Sequence, residues 1–296
     1  MIKLSVIVVS YNMQRELPRT IRSLSPSLQR DIDACDYEII VVDNGSSMPV
    51  SESLLRTWGA NVRCVSVPNP TKSPVAAVNL GLSLAEGEVC GVFIDGARMA
   101  TPGVLSEALY ILQGDKRAII STIGFHLGPE HQSLSAGKGY NQAFEDFLLA
   151  SIAWELDPYR LFNIACFAGS SPRGWFGPAL ESNALFMSSS LWHELGGYEA
   201  RFQLAGGGLS NLDVFRRAVE LVPNGLVTLL GEGTFHQYHG GEASNSSESK
   251  WELFHQEYQQ IRGCEWSPPL IKPRFSGTVH PYCMRFIEAS AALLKF

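Results

Sequence analysis

The strongest constraint in this chain is a rhythm of apolar runs, each closed by a polar cluster. Residues 4–9 (LSVIVV), 37–42 (YEIIVV) and 89–94 (VCGVFI) are rich in β-branched residues and lack polar alternation. That is the pattern of strands buried on both faces. Residues 62–67 read as a further strand. Between the runs lie segments of helical character: 14–24, where Leu17, Ile21 and Leu24 share one stripe, then 51–58 and 74–85. The last begins with a proline, whose missing N–H costs little at a helix start. Alternating strands and helices of these lengths require right-handed crossovers and a mainly parallel α/β sheet flanked by helices.

A parallel sheet binds ligands beyond the carboxyl ends of its strands. Three polar clusters occupy such ends: Ser10-Tyr11-Asn12, Asp43-Asn44-Gly45-Ser46 and Asp95-Gly96. One such turn is ordinarily structural, closed by an Asx-type hydrogen bond. Three of them at successive strand ends imply a pocket along one edge of the sheet. An Asp there can accept hydrogen bonds from ribose hydroxyls or a base N–H, and a small neighbour lets a phosphate approach.

Composition narrows the class further. With 45% hydrophobic and 18% charged residues over 296 positions, the chain is too apolar for disorder and long enough for a large core. Its net charge is −6, and no stretch gathers basic residues into a stripe, which argues against a grip on nucleic acid backbone. Six scattered cysteines without a CxxC read as free thiols. No segment approaches 18 uncharged apolar residues, and residues 1–11 are too short for a signal peptide. A cytoplasmic protein without a membrane span is expected; contact with a membrane surface stays open.

After Asp95 the pattern loosens. Helices are expected at 102–112, 140–155, 188–195 and 211–221, and strands at 118–123, 184–187 and 226–230. A Gly/Pro/Ser loop over 167–183 holds Arg173, Trp175 and Phe176. Residues 242–250 are polar and expected to be mobile, and 251–261 and 282–294 read as peripheral helices.

Four blocks in order, SVIVVSYN, EIIVVDNGSS, VNLGLSLAEGEVCGVFIDGA and WHELGGYEARFQLAGGGLSNLDVFRRA, resemble the family 2 glycosyltransferases, which have the GT-A fold. The resemblance runs from about Lys3 to His239. It implies a single domain over 1–241, with a nucleotide-binding half (1–100) and an acceptor half (101–241), and peripheral helices over 242–296. It implies transfer of a sugar, with inversion, from a UDP- or GDP-sugar donor to an acceptor hydroxyl. Ser10, Tyr11 and Asn12 would line the nucleotide pocket, and Asp43, with Asn44 beside it, would hold the base or ribose. Asn79 and Gly81 would belong to a helix closing over the nucleotide. Asp95 would be the first acid of the family's DxD motif, which normally carries a divalent cation such as Mg²⁺ or Mn²⁺.

Two positions depart from that pattern. Asp95 is followed by Gly96, Ala97 and Arg98, so alanine stands where a second carboxylate would bind the metal. Losing an oxygen ligand weakens a site for a hard cation, and Arg98 could neutralise diphosphate charge instead. The acidic pair expected before the DLxxR segment falls at Ser210 and Asn211. Asp213, read as paired with Arg216 one helical turn on, is then the expected general base, and Glu181 the alternative. His236 is the late histidine that in such enzymes completes the metal or diphosphate site. Trp175 and Phe176 could stack on a sugar face or pack in the core. Two other readings remain: a nucleotide-binding scaffold whose catalytic acids are lost, and a nucleotidyltransferase. The latter normally has a glycine-rich loop after the first strand, whereas residues 10–14 contain no glycine.

Overall fold

The computed structural model describes residues 2–240 and 250–294, so the polar stretch at 242–250 lies outside the described residues except for Lys250. The first half alternates as expected: β1 (Leu4–Ser10), α1 (Glu16–Ser23), β2 (Tyr37–Asp43), α2 (Glu52–Trp58), β3 (Val62–Ser66), α3 (Val75–Leu84) and β4 (Val89–Phe93). The second half runs β5 (Arg98–Ala100), α4 (Val104–Gly114), β6 (Ile119–Leu127), α5 (Gln132–Ala136), α6 (Gln142–Ile152), β7 (Ala165–Phe167), β8 (Leu185–Ser188), α7 (Ser189–Leu195), α8 (Ser210–Leu221) and β9 (Leu226–His236). It closes with α9 (Trp251–Arg262), β10 (Arg274–Gly277) and α10 (Met284–Ala292).

All of these strands join one sheet in the order β10-β9-β6-β8-β4-β1-β2-β3, with β5 pairing to β9 and β7 to β6. β1 lies parallel to β2 and β4, with Ser10 opposite Asp43 at the carboxyl ends. β8 runs antiparallel to both β4 and β6, which makes the sheet mixed. Alternate residues of β1 face opposite sides. Val6 and Val8 pack with Leu17, Ile21 and Leu105 on one face, and Ile7 and Val9 with Val78, Trp192 and Phe215 on the other. Gly81 lets α3 lie directly on β1, because a Cβ there would come within 2.4 Å of the Ile7 side chain. Among the described residues no helix is long and apolar enough to cross a membrane.

Two expectations about the second half are corrected. β9 does not stop at residue 230. Gly231, at φ 79°, carries it through an irregularity in its register with β6 and on to His236. The C-terminal segment is not helices alone, since β10 extends the sheet in parallel with β9 and Phe286 of α10 enters a core of Phe125, Phe162 and Phe235.

Candidate active site

The carboxyl ends of β1, β2 and β4 open into a cavity of about 1070 Å³. Tyr11, Asn12, Asn44 and Gly45 line one wall, and Asp95, Arg98, Glu181, His236 and His239 line it nearer the middle of the sheet. The first two strand-end clusters are tied together. The Ser47 N–H and hydroxyl both donate to Asn12 Oδ1, at 2.8 and 2.9 Å, and the Asn12 N–H donates to Ser46 Oγ at 2.8 Å. Asn12 supports this at φ 52°, a left-handed conformation that Asn tolerates. Asn44 donates from Nδ2 to the Thr71 and Ser73 carbonyls, and its buried Oδ1 has no hydrogen-bond partner.

Three expected pocket residues stand elsewhere. Ser10 and Asp43 are only 4% and 3% exposed and lie behind the wall. Asp43 Oδ1 accepts the Ser46 N–H at 2.9 Å, so it shapes the turn that presents Asn44. Asn79 makes a reciprocal pair with the backbone of Tyr198, at 2.9 Å in each direction, and fastens α3 to the turn after α7. Trp175 is fully buried and donates from Nε1 to the Leu229 carbonyl, while Phe176 packs edge-on against Phe275. Neither ring lines the cavity; Trp251 and Trp266 do.

Asp95 anchors the centre. Its Oδ1 accepts the Ala97 N–H at 3.0 Å and its Oδ2 the Arg98 Nε–H at 3.2 Å. Ala97 is wholly buried in the core, so this position turns away from the cavity. Arg98 also donates from Nη1 to Asn183 Oδ1 at 3.0 Å, and Nη2 has no protein acceptor among the described residues. Pairing of β5 with β9 sets Arg98 opposite His236, and His236 Nε2 lies 3.8 Å from Asp95 Oδ2. The His239 Nε2 atom is 3.1 Å from His236 Nε2. Burial, reinforced by His239 and Arg98, pushes the His236 imidazole well below its ordinary pKa, which favours the neutral ring. The ligand atoms of Asp95, His236 and His239 lie within 4.8 Å of one another. One carboxylate and two imidazoles this close fit a divalent cation.

The two candidate bases differ sharply. Asp213 does not reach the cavity. It is 1% exposed on α8, with Oδ2 accepting from Arg217 Nε at 2.7 Å and both oxygens held by Arg262 at 2.6 and 2.7 Å. The expected partner Arg216 instead donates to Glu220. The expectation that Asp213 is the base is therefore corrected: it is buried away from the cavity lining, and its two oxygens accept three hydrogen bonds from two arginines. Glu181 does line the cavity. Protein encloses its carboxyl apart from the cavity side, and that burial raises its pKa, with Arg98 and the Ser170 hydroxyl pulling the other way. Its neighbour Ser182 donates to Asn211 Oδ1 at 3.1 Å, so Glu181 stands beside the position where an acid was expected.

A mixed sheet with its ligand cavity at the carboxyl ends of β1, β2 and β4 defines a GT-A type of nucleotide-sugar transferase fold. The structure superimposes on S. aureus TarS residues 1–349 in complex with UDP-GlcNAc with a TM-score of 0.59 at 16% identity, covering 88% of this chain and 65% of that one. For S. aureus TarS 1–349 without that ligand the TM-score is 0.52 at 13% identity, with 88% and 64% covered. This chain thus spans slightly less than two thirds of those TarS chains. The family model for glycosyl transferase family 2 matches residues 5–154, and the chain belongs to that family. No curated protein matches it.

Proposed function

We propose that the protein transfers a sugar from a nucleotide-sugar donor to an acceptor hydroxyl, with Glu181 as the general base. The observation that carries this reading is the convergence of Tyr11, Asn44, Asp95, Arg98 and Glu181 on one cavity large enough for a nucleotide-sugar. Family membership supports the reaction class, and the UDP-GlcNAc bound by TarS supports a UDP-sugar over a GDP-sugar. In this reading Tyr11 and Asn44 hold the nucleoside, Asn44 Oδ1 accepting an N–H of the base. Arg98 meets the diphosphate through Nη2, its guanidinium already oriented by Asp95 and Asn183. A divalent cation held by Asp95 and His236 would add positive charge against the leaving diphosphate. Glu181, with its raised pKa, takes the proton of the acceptor hydroxyl as that oxygen attacks the anomeric carbon. Attack opposite the leaving diphosphate inverts the anomeric centre.

Asn211, at the position expected to be acidic, favours a second reading, a nucleotide-binding scaffold without transfer. Thermal unfolding with UDP, GDP and their sugars, followed by an assay of nucleoside diphosphate release, separates the two. A nucleotide at 100 times its Kd stabilises the fold by about 2.7 kcal/mol. Stabilisation by UDP with release of UDP from a UDP-sugar supports transfer. Stabilisation without release from any donor and acceptor supports the scaffold, and no stabilisation by any nucleotide contradicts both.

A further inference from the structure

His236 is held on its Nδ1 side by Gln132, the first residue of α5 and fully buried. Its side-chain amide faces His236 twice, at 2.9 Å to the backbone carbonyl and at 2.8 Å to Nδ1. A carbonyl only accepts, so the amide nitrogen must face it and the amide oxygen must face Nδ1. That oxygen in turn only accepts, so the imidazole proton sits on Nδ1 and Nε2 is left as an acceptor, which here takes a hydrogen bond from His239 Nε2. Nε2 points to Asp95 Oδ2, at 3.8 Å, and to His239 Nε2, at 3.1 Å. Atoms bound to one cation at about 2.1 Å lie roughly 3–3.5 Å apart; the His236–His239 pair already has that spacing, and Asp95, 3.8 Å from His236 and within 4.8 Å of both histidines, has to draw in slightly to join them.

Resting on the cation reading above, we propose that His239 supplies the ligand lost at Ala97, and that the resulting Asp95–His236–His239 site selects a first-row transition-metal dication over Mg²⁺. Two of its three donors are imidazole nitrogens, which suit cobalt, zinc and their neighbours, whereas Mg²⁺ favours oxygen and sheds water reluctantly. Arg98 also donates to Asp95 Oδ2 and offsets its charge, which weakens the purely electrostatic attraction that a hard cation needs. Gln132 is the positioning residue: it holds the tautomer that turns Nε2 toward the metal.

The test is titration of tag-free protein with Co²⁺ and with Mg²⁺ by calorimetry, in the absence of nucleotide, with the visible spectrum of bound Co²⁺ as a second readout. Co²⁺ is expected to bind at least tenfold tighter than Mg²⁺. His239→Ala should weaken Co²⁺ more than the roughly 10–100-fold that losing an outer partner costs, and Gln132→Leu should fall within that range. Gln132→Glu, which still accepts from Nδ1, should retain Co²⁺ binding and its spectrum. Equal affinity for the two metals, no binding of either, or unchanged Co²⁺ binding in folded His239→Ala would overturn the proposal. Such failures would leave transfer through Arg98 intact, and a failed transfer assay would leave the titration intact.

Discussion

Glu181 and Asp213 flank the same residue, Asn211, one through the hydroxyl of the adjoining Ser182 and the other two positions along the chain. Their surroundings are opposite. Both Asp213 oxygens are paired with guanidinium groups, from Arg217 one turn along α8 and from Arg262 at the end of α9. Arg262 reaches Glu199 as well, at 3.3 Å, so this carboxylate is a fastener between α8, α9 and the turn after α7. Glu181 forms no ion pair among the described residues, opens on the cavity and has its proton affinity raised by burial. A buried carboxylate committed to fixed cations holds structure together, and one enclosed without such a partner can exchange a proton.

The largest effect that sharpens this contrast is on stability. Asp213→Asn leaves two arginines without their shared anion and should lower the unfolding free energy by about 3–5 kcal/mol in urea, while kcat of the folded enzyme stays within a few-fold. A loss of kcat without a loss of stability would return Asp213 to the chemistry. Next comes Arg98→Ala, which removes a charged donor aimed at the diphosphate. It should cost about 1.5–3 kcal/mol in kcat/KM, measured as the ratio to the parent enzyme. Asn79→Ala breaks two hydrogen bonds to Tyr198 and should destabilise the fold by about 1–3 kcal/mol, leaving UDP affinity unchanged by calorimetry.

The smallest effect is one of pH. Because the Glu181 pKa is raised in the folded protein, its proton binds the native state more tightly than the unfolded chain. The stability this contributes is complete below the ordinary glutamate value and is lost as pH rises through the elevated one. Glu181→Gln should therefore gain on the parent enzyme in thermal stability as pH rises through that window, and match it below. In the active enzyme the same shift puts the acid limb of kcat above the ordinary carboxylate range.

The half of the fold that was legible is the half whose signals are local. β1 to β4 and their helices follow from apolar runs and turn residues within a few positions of each other, and Asp95, Tyr11 and Asn44 follow from strand ends. What was hidden depends on distant pairings. The β5–β9 register that sets Arg98 against His236 joins segments more than a hundred residues apart. The second arginine on Asp213 comes from 49 residues downstream. Spacing did carry a clue at Arg217, since an i,i+4 pair serves as well as i,i+3. His239 lay in an HxxH spacing that is weak alone, and nothing in the sequence near Gln132 points to His236.

If Glu181 takes the proton in the cavity, single-turnover transfer by folded Glu181→Gln must slow. The expected fall in rate is about 10²–10⁴-fold, with UDP affinity retained and Asp213→Asn close to the parent enzyme. A Glu181→Gln rate within tenfold of the parent enzyme would contradict it.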